Sequence, residues 1–371
     1  MAFIWMVASR SIPKRQMTGT WLMVAFGAIS VLSAVVNGGV IDRSMSWFLS
    51  ILMLVLASNI VFDYLLHAKS FEPFYWAIAL GTTIVSLLML LPLGVDFLDL
   101  YQRRSLVGMG ENGMGATLAT GALCHLVLLT RRPLRFLGWA LTHAFGAAIC
   151  MVGMVITGSR GAEVAFMVGL IIFGISKFRA RFNWPTAAMV IAVAGLLIWL
   201  QFTIPIARMR WEETLSGIGG SGNATSDRMT IIEIAIPMFL ERPFLGWSIG
   251  PAMQEIKGRG FGGFGDEMDT HNSLVWILLD AGLLGFLPFI IVIFRALRAS
   301  IKAMKGPEGS APAALLGLIL VFSMSVTWHY RKPLWLFIPL AFAAAARSVR
   351  EGVVTCPPAV SGLDGTNPNT L

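Results

Sequence analysis

Residues 16–41, 44–62, 73–95, 112–130, 136–159 and 182–207 each run for nineteen residues or more without one Asp, Glu, Lys or Arg. The hydrocarbon core of a bilayer is ~30 Å thick, and ~20 apolar residues of helix cross it. Inside it each backbone amide and carbonyl must be satisfied within the protein, which makes the α-helix the solution for windows of this length. Four further windows extend the series. Window 164–176 spans only with flanking residues, 270–294 is interrupted by Asp280 alone, 309–330 is clear, and 333–346 is short. The pattern predicts an all-α, polytopic membrane bundle of about ten transmembrane helices, forming a single transmembrane domain over residues 1–351.

Composition excludes the soluble classes. Apolar residues make up 56% of the chain and charged residues 13%, with a mean hydropathy of +0.74; soluble domains are about a quarter charged. A net charge of +8 would point to nucleic acid in a soluble protein. Here topology explains it, because Lys and Arg collect in cytoplasmic loops, and no nucleic-acid partner is expected. With the N-terminus placed inside, sixteen of the 28 basic residues fall on the inner side and six on the outer, apart from the six in the long segment 204–270. That bias predicts cytoplasmic N- and C-termini and a large outer loop at about 204–270. The first window follows Arg10, Lys14 and Arg15, precedes no small-residue cleavage site, and reads as a retained helix. Residues 352–371 have no apolar period and read as a disordered cytoplasmic tail.

Metal chemistry finds no foothold. Cys124, Cys150 and Cys356 are too few and scattered for a disulfide framework or a zinc site, and Cys124 and Cys150 read as packing residues. The five histidines, His67, His125, His143, His271 and His329, show no ligand spacing, so no metal and no cofactor is expected.

The long loop holds six basic and nine acidic residues and is therefore not a polyanion surface; an arginine acting there on phosphate must act by position. Met229, Ile232, Ile236 and Phe239 recur at helical spacing, which predicts one short amphipathic helix starting near Asp227, capped by Thr225 or Ser226 and kinked by Pro237. Glu241-Arg242-Pro243-Phe244-Leu245-Gly246 should end it in a turn. Gly258-Arg259-Gly260-Phe261-Gly262-Gly263 fits a dinucleotide fingerprint in letters, but no strand precedes it and no helix opens on it, so it reads as a flexible glycine stretch. Asn223-Ala224-Thr225 reads as a chance sequon.

Three stretches in order carry a resemblance. Thr157-Gly158-Ser159-Arg160-Gly161-Ala162 stands where one helix ends and the next begins. Arg228 follows, with the loop helix and then Glu241 to Gly250. The third is His271-Asn272-Ser273-Leu274, leading to Asp280-Ala281-Gly282-Leu283-Leu284-Gly285. Together, over about residues 155–290, they resemble the O-antigen ligase superfamily, which includes O-antigen and exopolysaccharide polymerases. The chain departs from the family's pattern at Ile231 and Ile232, where an aromatic is frequent, and at Asp280, where Glu is frequent.

The resemblance implies a multi-pass protein of a bacterial inner membrane. Its implied activity is a metal-independent, inverting transfer of a glycan from a polyprenyl diphosphate to a glycan or lipid acceptor hydroxyl at the outer face. Such a reaction needs cationic donors for the departing diphosphate and a base for the acceptor. Arg160 and Arg228 match the first need and His271 the second. Glu163, one turn after Arg160, is placed to hold its guanidinium. Asn272 borders His271, and Asp280 is the one acid inside a probable span, nine residues from His271 and on the opposite helix face. The structural readings of these residues are a snorkelling Arg160, a solvated first-turn Arg228, a helix-capping His271 and an Asp280 that hydrogen-bonds where Gly282 and Gly285 allow close helix contact. The rival class is a transporter or flippase of a lipid-linked solute, whose polar residues would gather around broken helices at mid-membrane.

Overall fold

The computed structural model describes residues 14–39, 41–91, 104–105, 110–132, 136–180, 184–216, 224–259, 270–327 and 329–351. Among the described residues there are thirteen helices and no strand. They are α1 (Lys14–Val36), α2 (Ile41–His67), α3 (Glu72–Leu90), α4 (Glu111–Leu129), α5 (Leu137–Ile156), α6 (Arg160–Ala180), α7 (Trp184–Thr203), α8 (Pro205–Ser216), α9 (Ala224–Glu241), α10 (Ile249–Gly258), α11 (Ser273–Ala303), α12 (Ala311–Ser323) and α13 (Lys332–Arg350). The chain is thus a polytopic all-helical bundle. Asn223, Gly260–Gly263, Cys356 and the tail 352–371 lie outside the described residues, as does the side chain of Arg228.

Helices α1 to α5 and α11 are long and apolar enough to cross a membrane, and α7 with α8 makes a seventh candidate bent by 88°. The expected ten also counts α6, α12 and α13. Of these, α12 has only 13 residues, ~20 Å at 1.5 Å per residue. The charge-free window 309–330 overstates it because the turn after Ser323 carries no charge to mark where helix stops. Window 182–207 hides a corner for the same reason: α7 ends at Thr203, and Pro205, with no amide hydrogen to continue the ladder, opens α8 at a new angle.

Where the sequence predicts one helix between residues 204 and 270, the described residues contain three: α8, α9 and α10. α9 starts at Ala224, so Thr225 and Ser226 fall within its first turn, and it continues through Pro237 to Glu241. Gly258 and Arg259 finish α10 instead of opening a flexible stretch. The Arg259 guanidinium makes a two-pronged bond to Glu241 (2.6 and 2.7 Å) and a third to Glu255 (2.8 Å), which ties α10 to the end of α9. The same guanidinium holds the Glu241 carboxyl below its usual carboxylate range.

Two groups of helices form the bundle: α1, α2, α11 and α13 on one side, α3 to α6 with α12 on the other. α4 is the hub, buried almost continuously from Met114 to Leu128. Small residues let its neighbours approach, as membrane packing favours; a Cβ on Gly121 would stand 1.9 Å from Thr82 Oγ1, and one on Gly146 of α5 would stand 2.2 Å from the His125 ring. Cys124 and Cys150 are buried in this packing. His125 and His143 meet at 3.1 Å through their Nδ1 atoms. Among the described residues no group of three or more His, Cys, Asp or Glu could hold a metal ion.

One end of the bundle is closed by a charged buckle. Glu308, in the α11–α12 connection and nearly fully buried, pairs with Arg131 and, at 3.5 Å, with Arg347; Tyr75 donates to it at 3.4 Å. Arg347 also donates to the Lys69 carbonyl (2.5 Å), so one carboxylate gathers the ends of α2, α4, α11 and α13. Removing one member of a buried pair strands its partners and costs up to ~3 kcal/mol. Glu308→Ala should therefore lower the melting temperature of detergent-solubilised protein and deplete the membrane pool on a blot. A variant with wild-type melting would show that the buckle bears no structural load.

Candidate functional site

The second and third sequence motifs interlock. α11 is not continuous: Gly282 adopts φ 59°, ψ −161°, a backbone conformation essentially confined to glycine. A continuous helix would bond Leu283 N to Leu279 O and Leu284 N to Asp280 O. Both bonds are replaced by the turn that follows α9. Leu283 N donates to Pro243 O (2.8 Å) and Leu284 N to Phe244 O (3.1 Å), while Leu279 O accepts from Trp247 N (2.6 Å) and Asp280 O from Ser248 N (3.1 Å). All four backbone groups freed by the break are thus re-satisfied.

The letters of the motif explain the fit. Gly246 (φ 68°) and Ser248 (φ 63°) take left-handed conformations on either side of Trp247. A Cβ at Gly246 would lie 2.5 Å from Leu279 O, and one at Gly282 would lie 2.3 Å from Phe244 O, so glycine is required on both partners. The end of α1 completes the interlock: Ser33 Oγ donates to Asp280 O (2.6 Å) and Asn37 Nδ2 to Gly246 O (3.0 Å). Arg242 reaches Asn37 Oδ1 while lying over the Trp247 ring at 4.0 Å. Asp280 is buried and its carbonyl is the shared acceptor. Gly285 packs near α1, as expected of a small residue, whereas Gly282 serves the break rather than a helix contact.

The first motif is built at the start of α6. Thr157 and Ser159 are buried, and a Cβ on Gly115 of α4 would meet both within 2.8 Å, so the α5–α6 corner is held close against α4. Arg160 opens α6 and donates from Nη1 to the carbonyl of Arg210 on α8 (2.8 Å). Arg210 also stands close enough for its charge to act on Arg160, and it pairs with Glu213 at 2.8 Å. Glu163, placed by the sequence to hold the Arg160 guanidinium, feels its charge and has a further partner. Glu163 is 3% exposed and accepts from the indole N–H of Trp211 at 2.9 Å, and Gln201 at the end of α7 lies near it.

His271 precedes α11 with φ 50°, a left-handed conformation uncommon outside glycine. It is not the helix cap: Asn272 is, accepting from Leu274 N (3.0 Å) and Val275 N (3.2 Å). The half-buried imidazole is therefore released from capping. Ser273 Oγ donates to Val326 O (3.1 Å), and a Cβ on Gly161 would meet Ser325 Oγ at 2.4 Å. Residues adjoining Arg160 and His271 thus flank one turn, 324–327, at the end of the bundle opposite the Glu308 buckle. Arg228 lies on the second turn of α9, whose apolar face (Ile231, Ala235, Met238) packs with α10 and with Leu279 of α11.

Sequence reasoning missed Asn37, Gln201, Arg210 and Trp211. For Arg210 and Trp211 the one available signal was Pro205, which marks the corner that folds α8 back towards α6. No curated protein matches the chain. Residues 145–290, which run from α5 to the middle of α11 and contain all three motifs, match the family model Wzy_C, O-Antigen ligase, the family that those motifs resemble.

Proposed function

We propose that the protein is a membrane glycosyltransferase of the O-antigen ligase or polymerase type. It moves a glycan from a polyprenyl diphosphate to an acceptor hydroxyl at the outer face of the inner membrane, with both termini cytoplasmic as the charge bias favours. His271 takes the proton of the acceptor hydroxyl. The acceptor oxygen forms the new bond to the anomeric carbon while the bond to the diphosphate oxygen breaks, with inversion. Arg160 and Arg228 neutralise the departing diphosphate through planar, charge-assisted bonds and do the work a metal would otherwise do. Glu163, Asn272 and Asp280 support them. The observation that carries this reading is that the segments bearing Arg160 and His271, both inside the stretch 145–290 that matches the family, converge on the 324–327 turn. Transport is the weaker alternative, because the backbone groups freed by the break in α11 are taken up by the chain's own turn rather than offered to a solute.

The test is complementation of a deletion strain, with protein level read by blot and surface glycan by gel. Arg160→Ala and Arg228→Ala should each cost ~3 kcal/mol of transition-state stabilisation, ~100-fold in transfer. Lysine should rescue neither fully, since an ammonium lacks the planar fork. Transfer by membranes should survive EDTA. Wild-type glycan from both alanine variants at normal protein level would remove the glycosyltransferase reading and bring transport forward.

A further inference from the structure

The bent pair α7–α8 carries two consecutive residues onto the first turn of α6. The carbonyl of Arg210 accepts from Arg160 (2.8 Å), and the indole of the next residue, Trp211, donates to Glu163 (2.9 Å). Glu163 is 3% exposed, so its carboxylate depends on protein partners, and the indole N–H of Trp211 on α8 is the hydrogen-bond donor it meets, with Gln201 nearby at the α7 arm of the 88° corner. The indole N–H is thus one of two bonds that fasten α8 to the start of α6, the other being Arg160 to the Arg210 carbonyl. Fastening α8 in turn fixes the acceptor that holds one prong of Arg160.

We propose that Trp211 is a positioning residue for Arg160, acting through the buried Glu163 and the docked helix α8. The proposal rests on the reading of Arg160 as a diphosphate ligand. Its chemistry is that of preorganisation: a guanidinium whose Nη1 is held by a neutral backbone carbonyl keeps its place and its charge for an anion. Loss of the indole N–H leaves the carboxylate poorly satisfied and lets α8 and the guanidinium drift together.

The experiment is a double-mutant cycle on the full chain in membranes of the deletion strain, which hold the native lipid-linked glycan and its acceptor. Trp211→Phe keeps a ring in the packing and deletes the donor. It should lower transfer ~10-fold at unchanged protein level and melting, and it should add nothing to Arg160→Ala, because coupled residues are non-additive. Trp211→His, which retains a ring N–H, should recover part of the loss. The inference is overturned by a silent Trp211→Phe, by a loss that multiplies in the Arg160→Ala background, or by a loss that merely follows protein level. Should Trp211→Phe fail to accumulate, Glu163→Gln takes its place in the same cycle, and a multiplying loss there has the same meaning. A silent Arg160→Ala overturns the function reading instead, and with it this inference.

Discussion

Gly282→Ala is expected to be the most damaging single methyl group in the chain. The residue holds φ 59°, ψ −161°, which only glycine adopts without strain of ~1–3 kcal/mol. The new Cβ would also stand 2.3 Å from the Phe244 carbonyl oxygen and 2.7 Å from Gly246 N, both backbone atoms of the interlocked turn. The turn must therefore leave, and the four backbone bonds it makes with α11 leave with it, at ~1 kcal/mol each. The variant should show a lower melting temperature in detergent and a loss of transfer of at least ~100-fold. Gly195→Ala in α7 is the control: a Cβ there meets nothing within 4 Å, and alanine favours helix. Wild-type melting and glycan for Gly282→Ala would mean that the break in α11 is not a requirement of the fold.

His271→Ala is expected to act on chemistry and to spare the fold. The imidazole is not needed to cap α11, since the Asn272 side chain already accepts from Leu274 N and Val275 N. Removing a general base costs ~10²–10⁴ in rate. Protein level and melting should remain close to wild type while surface glycan disappears. Asn272→Ala should show the reverse emphasis, ~1 kcal/mol of stability for a lost cap. A His271→Ala strain with full-length surface glycan at normal yield would remove His271 from the reaction, and with it the acid–base half of the proposed mechanism.

How much of this was legible in the sequence differs between elements. Helix positions followed from where charge is absent: α1 to α5 coincide with five of the charge-free windows to within a few residues. Helix ends did not, because a turn without charge, such as the one after Ser323, leaves no mark on a hydropathy pattern. The three motifs all lie in the stretch that matches the family model, yet the structural reason for their letters was hidden. Gly246 and Gly282 are thirty-six positions apart, and nothing in either stretch reveals that each is glycine because of the other. The Trp211–Glu163 bond was invisible for a similar reason, since it depends on a corner whose angle no periodicity encodes. Local capping was read only in part: the His271–Asn272 pair was expected at a helix start, but the cap is Asn272 and not the histidine.

The interlock also constrains the order in which the molecule can be made. The turn 243–248 is synthesised before α11, but its partners, Leu279 to Leu284, arrive some thirty residues later. Until they do, the turn's amides and carbonyls can find water outside the bilayer, while α11 can enter as an uninterrupted helix with its own two bonds intact. Opening that helix inside the membrane without the turn at hand would expose bare backbone to lipid, so unwinding and docking must occur together as one exchange. Assembly of this end of the bundle is therefore a late, concerted event, and a chain truncated between residues 250 and 279 should leave the turn undocked, however well the first eight helices have packed.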